Sequence, residues 1–459
     1  MVIIFGRLGQ YVGVGVNVHL VNEIQLGGGI GRRSWVDVRH TNKWQVKQVP
    51  GTSCKVQILA RVLQKKRKGV VKLIYLDNAA TTRIDPEVLD AMMPYLTEEY
   101  GNPGGVYSVG RRAQSAIETA RSQVADLIGA EPDQIIFTSG GSEANNLAIK
   151  SFLKMFFSKG IITDSTEHES VIKAFNSINS FSRLHFIGVN SYGSVEIPEF
   201  CGKITDKSDI GFVSIMGMNN ETGAENPIKD IGAICRDERI LFHTDCVQAL
   251  GCMELDVGEI GCDFMSMSSH KIHGPKGVGA LYAKDRSKCF PLIDGGAAQE
   301  FGLRGGTENV AGIVGFGKAC EIVKRDFFEN ETRISKMKHL FYATLVSELS
   351  SPKYNLSHII HVNGPHVDGR GKAINLRFDG VDGQTLLLML DSEGVCVSAG
   401  SACTSRENKP SHVLTAMGIS PDDARNSIRV SFSKMNTEEE VVNAAKIMAG
   451  CVNVANKSW

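Results

Sequence analysis

The sequence predicts an α/β protein, a mostly parallel sheet covered by helices and followed by a smaller α+β domain. Three observations predict it. Short apolar runs at 134–137, 211–216, 240–242 and 277–282 are bounded by Gly or polar residues. They alternate with longer amphipathic stretches such as 113–127, which is the βα rhythm of a parallel sheet. After about Asp326 the rhythm gives way to a charged helical stretch (334–349), an apolar strand (375–378) and a terminal helix from Thr437. A composition of 42% hydrophobic and 22% charged residues over 459 positions permits a large core and excludes global disorder.

The first 70 residues stand apart. They hold twelve Lys and Arg, including the run Lys65–Lys68, against only Glu23 and Asp37, so the segment carries +10 and the rest of the chain −10. The formal net charge of zero is therefore a cancellation between two unlike pieces. An organelle transit peptide fits the charge but not the Ser-poor, non-amphipathic pattern. A nucleic-acid-binding arm fits the charge but lacks interleaved aromatics and a motif. A third reading is an over-extended start. Lys65-Lys-Arg-Lys-Gly69 can be written in purine-rich codons like a bacterial ribosome-binding site, just before a Val70 or Val71 start. The sequence expectation is a cytoplasmic protein whose folded part begins near Lys72-Leu-Ile-Tyr-Leu-Asp77.

Eleven cysteines without a CxxC pair or zinc spacing point to a reducing compartment and no metal site. No run of 18 apolar residues occurs, so no membrane span is expected.

Four constellations carry chemistry. In Phe137-Thr-Ser-Gly-Gly-Ser-Glu-Ala-Asn-Asn146 a strand ends at Thr138, two glycines turn, and a helix starts around Ser142. Free N–H groups and the helix dipole there favour a phosphate, although an ordinary Ser N-cap reads the same way. Asp245, in Phe242-His-Thr-Asp-Cys-Val-Gln-Ala249, falls at the C-terminal end of an apolar strand, where open α/β sheets place ligand groups. An exposed loop acid is the plainer reading. Lys271 sits among Ser, His and Gly in Met267-Ser-Ser-His-Lys-Ile-His-Gly-Pro-Lys-Gly277. A lysine desolvated between two strands can form a Schiff base, whereas a basic turn needs no function. Small residues around Cys403, in Cys396-Val-Ser-Ala-Gly-Ser-Ala-Cys403-Thr-Ser, suit an accessible nucleophilic thiol. Cys396, between two valines, suits a buried inert one. Together these supply a phosphate seat, a ring-facing Asp, a Schiff-base Lys and a thiol, the equipment with which proteins tune pyridoxal 5'-phosphate (PLP).

At these residues the chain resembles the class I cysteine desulfurases, PLP enzymes of fold type I. The resemblance runs from about Ile74 to the C-terminus. It is carried by Tyr75-Leu-Asp-Asn-Ala-Ala-Thr-Thr82, Thr138-Ser-Gly-Gly-Ser-Glu-Ala-Asn-Asn146, Thr166-Glu-His168, Asn219-Asn-Glu-Thr-Gly223, Ser269-His-Lys-Ile-His-Gly-Pro-Lys-Gly277, Arg304-Gly-Gly-Thr-Glu-Asn309 and Ser401-Ala-Cys-Thr-Ser405. It implies a seven-stranded sheet in a large PLP-binding domain (89–330) and a small domain (331–459) that carries the Cys403 loop. Residues 71–88 would join the small domain, and 1–70 would remain a basic extension.

The resemblance also implies roles. Lys271 would hold PLP through a Schiff base and move the α-proton. Asp245 would pair with the pyridinium nitrogen, Gln248 with the ring hydroxyl, and His168 would stack on the ring and take part in proton transfer. Gly141, Ser142, Ser268 and His270 would bind the phosphate, with Thr307 reaching across from a second subunit of a homodimer. Asn220 and Arg429 would hold the substrate carboxylate, and Cys403 would take the sulfur of L-cysteine as a persulfide, releasing L-alanine. The sulfur would pass to an acceptor such as an iron–sulfur scaffold, with transient cluster contact at Cys403, or to a tRNA-thiolation or cofactor pathway. Selenocysteine lyase is the rival within the same chemistry, and a non-catalytic sulfur-relay protein the rival outside it.

Three positions depart from the family pattern. Gly295-Gly-Ala-Ala-Gln-Glu-Phe301 is one residue longer and lacks the usual arginine, Gly104-Gly105 replaces a Ser pair, and Ser433 stands where Gly is usual.

Overall fold

The computed structural model describes residues 73–156, 158–176, 184–205, 209–296, 299–400 and 409–457. The basic segment 1–70 and Cys403 lie outside them. The described chain forms one compact unit from Leu73 to Lys457.

The elements run β1 (Ile74–Tyr75), α1 (Pro86–Thr97), α2 (Ser108–Leu127), β2 (Ile135–Thr138), α3 (Gly141–Met155), β3 (Gly160–Asp164), α4 (Glu169–Asn176), β4 (Leu184–Ile187), α5 (Ile197–Thr205), β5 (Ile210–Ser214), α6 (Ile228–Asp237), β6 (Leu241–Asp245), β7 (Phe264–Ser268), β8 (Gly279–Ala283), α7 (Val310–Ser350), β9 (Ile360–Asn363), β10 (Ala373–Phe378), α8 (Gly383–Ser392), β11 (Val395–Cys396), β12 (Ser427–Ser431) and α9 (Glu438–Asn456), with shorter helical turns between some of them. Local chemistry sets several of these boundaries. Asp85 caps α1 by accepting the Glu87 N–H at 3.0 Å, with Pro86 in the first turn, and Thr437 and Glu440 close a capping box on α9.

Seven strands form the large sheet in the order β2-β8-β7-β6-β5-β3-β4. The pairs from β7 through β4 are parallel, whereas β8 runs antiparallel to both neighbours. The 277–282 run is therefore an antiparallel member of a mostly parallel sheet, reached by the short Lys271 turn, which is too short for a crossover helix. Helices cover both faces, so strands are buried on both sides and read as continuous apolar runs. Successive residues feed opposite cores. Ile135 and Phe137 pack into one and Ile136 into the other, as do Met265 and Phe264.

A second sheet has the order β12-β10-β9 and is antiparallel. β1 pairs in parallel with β11, and bridges from Asp77 to Ser431 and from Ser398 to Arg429 stitch these strands to the second sheet. The long helix α7 packs on α1 and α2 with one part and on α9 with another, passing continuously through position 330.

Candidate active site

The site forms where the C-terminal ends of β2, β6 and β7 meet the Asp77–Thr82 segment. Gly140 adopts φ 155° and ψ 179°, a region essentially reserved for glycine, and α3 begins at Gly141. The helix is capped by Gly140 with no side-chain cap, and Ser142 is exposed in the first turn. The plain Ser N-cap reading is thus corrected, since the backbone turns on the glycine before the serine can cap. A side chain is excluded at Gly141, where a Cβ would lie 2.4 Å from Val247 Cγ2 and 3.6 Å from Ser268 Cβ. At Gly140 a Cβ would meet only Ser268 Oγ, at 4.0 Å, which leaves open space before the free N–H groups. Glu143 fastens the turn by accepting from Ser139 N–H at 2.8 Å and Arg304 Nε at 2.7 Å.

Asp245, at the end of β6, is buried. Its Oδ1 accepts the Val247 N–H at 2.9 Å and its Oδ2 accepts from Asn145 Nδ2 at 2.7 Å. The loop-acid reading falls with that burial. Asn145 Nδ2 also donates to Ser170 Oγ at 2.9 Å, and that oxygen lies 2.8 Å from His168 Nδ1. Because the Ser170 N–H donates to the same Nδ1 at 3.1 Å, Nδ1 is the acceptor and the neutral ring carries its proton on Nε2. Burial lowers the His168 pKa, Asp245 opposes this, and Lys271 reinforces it. His168 is therefore neutral at pH 7.

Lys271 closes the site from the short helical turn after β7. Its Nζ donates to Ala79 O at 2.6 Å and Ala80 O at 2.9 Å, and Gln248 Nε2 donates to the same Ala79 carbonyl at 2.9 Å. Burial, then the nearby Lys372 and Arg429 cations, bring the Lys271 ammonium down to about 7 against Asp245 and Asp77. The Lys271 amine is thus desolvated, a state in which lysines form Schiff bases. His270 lies beside it with Nδ1 3.1 Å from Thr81 Oγ1.

Arg429, on β12, is fully buried. It donates to Asp77 Oδ1 at 2.7 Å and to the Asn220 carbonyl at 2.8 Å, while its Nε has no partner among the described residues. Asn220 thus meets Arg429 through its main chain. Thr307 is exposed in the loop before α7. Cys396 is half-buried on β11 opposite Tyr75, less enclosed than its valine neighbours suggest.

The sequence singled out neither Asn145 nor Ser170, which link Asp245 to His168. Asn145 lies inside a quoted motif, three residues after Ser142, where helical spacing turns it toward the sheet. Nothing local marks Ser170. The departures also have local accounts. Phe301 lies under Arg286, whose guanidinium is 3.8 Å from the ring centre, and Arg121 is 5.0 Å from the same centre. Ser433 Oγ accepts the Met435 N–H at 3.1 Å, which holds the turn after β12. At Gly105 a Cβ would lie 2.5 Å from Tyr107 Cζ, so a serine there would displace that ring, whereas nothing in the structure explains Gly104.

Residues 74–443 match the family described as aminotransferase class-V. Over 82% of its length the chain is 40% identical to the cysteine desulfurase IscS of Methanosarcina thermophila, covering 91% of that protein. The chain belongs to the class-V aminotransferases and, within them, to the cysteine desulfurase family. Among solved structures it resembles a NifS-like protein, with a TM-score of 0.74, 34% identity and coverage of 82% of this chain and 98% of the other. It also resembles SspA in complex with cysteine, with a TM-score of 0.64, 31% identity and coverage of 79% and 99%. The fold expectation stands, an α/β enzyme with a mostly parallel seven-stranded sheet.

Members of this family are PLP-dependent, and the residues present fit that group. The open space over Gly140, the buried Asp245 carboxylate and the depressed Lys271 amine suit, in turn, its phosphate, its pyridinium and its aldehyde. Among the described residues no helix is long and apolar enough to cross a membrane.

Proposed function

We propose that this enzyme converts L-cysteine to L-alanine and carries the sulfur away as a persulfide on Cys403. The convergence of Lys271, Asp245 and His168, with Asp245 held by Asn145 of the helix that begins at Gly141, carries the reading. PLP, when bound, supplies an electron sink for the carbanion formed at the substrate α-carbon. The Gly141 N–H, Ser142, Ser268 and His270 would hold its phosphate, Asp245 its ring nitrogen, Gln248 its hydroxyl and Lys271 its aldehyde carbon.

The chain's own groups then divide the work. Arg429, supported by Asp77 and the Asn220 carbonyl, binds the substrate carboxylate and fixes which α-carbon bond faces the ring. Lys271, whose amine is brought down to about 7, can accept the α-proton near neutral pH. The Asp245–Asn145–Ser170–His168 chain holds the imidazole in one tautomer with Nε2–H available to the reacting centre. The Cys403 thiolate forms a bond to the substrate sulfur while that sulfur's bond to Cβ breaks; the electron pair left at Cβ takes up a proton to give alanine, and Cys403 retains the sulfur as a persulfide.

In this reading a second copy of the chain contributes Thr307, the enzyme works as a cytoplasmic homodimer, and the persulfide passes to an acceptor such as an iron–sulfur scaffold. The test is to incubate the full chain with PLP and L-cysteine under a thiol reductant. Alanine and sulfide should appear in equal amounts. Cysteine consumption without alanine sinks the proposal.

A further inference from the structure

Lys372 is an unusual neighbour for a reactive lysine. It is nearly fully buried, immediately before β10, and its Nζ donates to the main-chain carbonyl of Lys271 at 2.8 Å. Among the described residues no carboxylate forms an ion pair with it. Its own carbonyl accepts the Phe432 N–H at 2.9 Å, three residues beyond Arg429, and the next residues of β10 pair with β12 so that Asn375 faces Arg429. One hydrogen-bonded path therefore runs from the Lys271 main chain through Lys372 to the strand that carries Arg429. The Lys271 side chain is tied to the same region at its other end, since Ala79, which accepts from Nζ, donates its N–H to Ser431 Oγ at 2.9 Å.

We propose that Lys372 is a positioning residue for Lys271, gripping its carbonyl and placing a buried cation beside its amine while coupling it to the Arg429 strand. The inference rests on the proposed role of Lys271 as the group that takes PLP. The second sheet has no other side chain bonded to the Lys271 main chain among the described residues. A buried amine with a carbonyl partner but no counter-ion adds little to stability, because its desolvation is uncompensated. Such a group makes sense where its field acts on a neighbour. The charged and titratable groups facing Lys271 are Lys372, Arg429, His270, Asp245, Asp77 and His168, and burial lowers the Lys372 ammonium too, with Cys252 opposing and Arg429 adding to it. Of the cations among them, Lys372 depresses the Lys271 ammonium most.

The experiment titrates the absorbance of the full chain loaded with PLP, following the chromophore band against pH in wild type, Lys372→Met, Lys372→Gln and Lys372→Arg. Removing the cation eases protonation of the Lys271 nitrogen, so the Met and Gln midpoints should rise by about half a pH unit or more. Arg, which keeps charge and donor, should return the midpoint to the wild-type value. A packing role alone would move thermal stability and leave the midpoint in place. Unchanged midpoints in Met and Gln overturn the proposal, as does an Arg variant displaced as far as Gln. Failure of both Met and Gln to fold also overturns it, because Lys372 would then serve the strand itself. A wild-type chain that forms no band with PLP contradicts the proposed function instead, which separates the two failures.

Discussion

Replacing Glu300 by Ala removes the anion at the centre of a buried cluster behind the phosphate turn. The Glu300 and Arg121 side chains are each only 4% exposed, and Glu300 accepts from Arg121 at 2.9 and 3.0 Å. Its Oε2 also accepts the Phe137 N–H at 2.7 Å. Breaking a buried pair by removing one partner costs about 3–5 kcal/mol, because the remaining charge stays desolvated. Arg121 keeps its bond to the Ile135 carbonyl at 2.8 Å and its contact with the half-exposed Glu118, which holds the cost toward the lower end. The orphaned Phe137 N–H adds about 1–3 kcal/mol. An overall loss of about 4 kcal/mol follows, with Glu300→Gln losing about half of that by keeping an acceptor. Urea unfolding followed by circular dichroism measures it. Phe137 lies three residues before Gly140, so PLP affinity should fall in step. The double variant Arg121→Met/Glu300→Leu removes both charges and should recover most of the loss. A Glu300→Ala loss under about 1 kcal/mol, or a double variant no better than the single, would show that the Arg121 charge is not stranded by the change.

Further outcomes are expected of the site itself. The rate of PLP capture by the cofactor-free enzyme should rise with pH through about 7, where Lys271 loses its proton, instead of near the ordinary lysine value, and stopped-flow absorbance reads the midpoint. Asn145→Ala should leave Asp245 Oδ2 and Ser170 Oγ without their donor and lower kcat about 10-fold or more, with little change in KM for cysteine. Arg429→Lys should raise KM at least about 10-fold, since an ammonium cannot hold Asp77 and a carboxylate in one plane; steady-state kinetics would show it.

Much of the fold was legible because burial on both faces leaves apolar strand runs that periodicity detects, as at 134–137 and 240–242. The direction of β8 was not, since antiparallel pairing there depends on the length of the Lys271 turn and on Gly279, where a Cβ would meet Met267 O at 2.5 Å. Lys271, Asp245 and Gly141 announced themselves by residue type at strand ends. Asn145, Ser170 and Lys372 did not, because each acts through a partner distant in sequence, and Lys372 looks in the chain like any basic residue ahead of a strand. The Glu300–Arg121 pair joins residues 179 positions apart and left only the altered 295–301 loop as a trace.

In the proposed reaction sulfur leaves cysteine onto Cys403. Mass spectrometry of the PLP-loaded chain after one turnover with L-cysteine, with thiols alkylated, tests it most directly. One added sulfur atom is expected on the peptide carrying Cys403, lost on reduction and missing from the Cys403→Ser variant. Added sulfur on another cysteine, or normal sulfide release by Cys403→Ser, would contradict it.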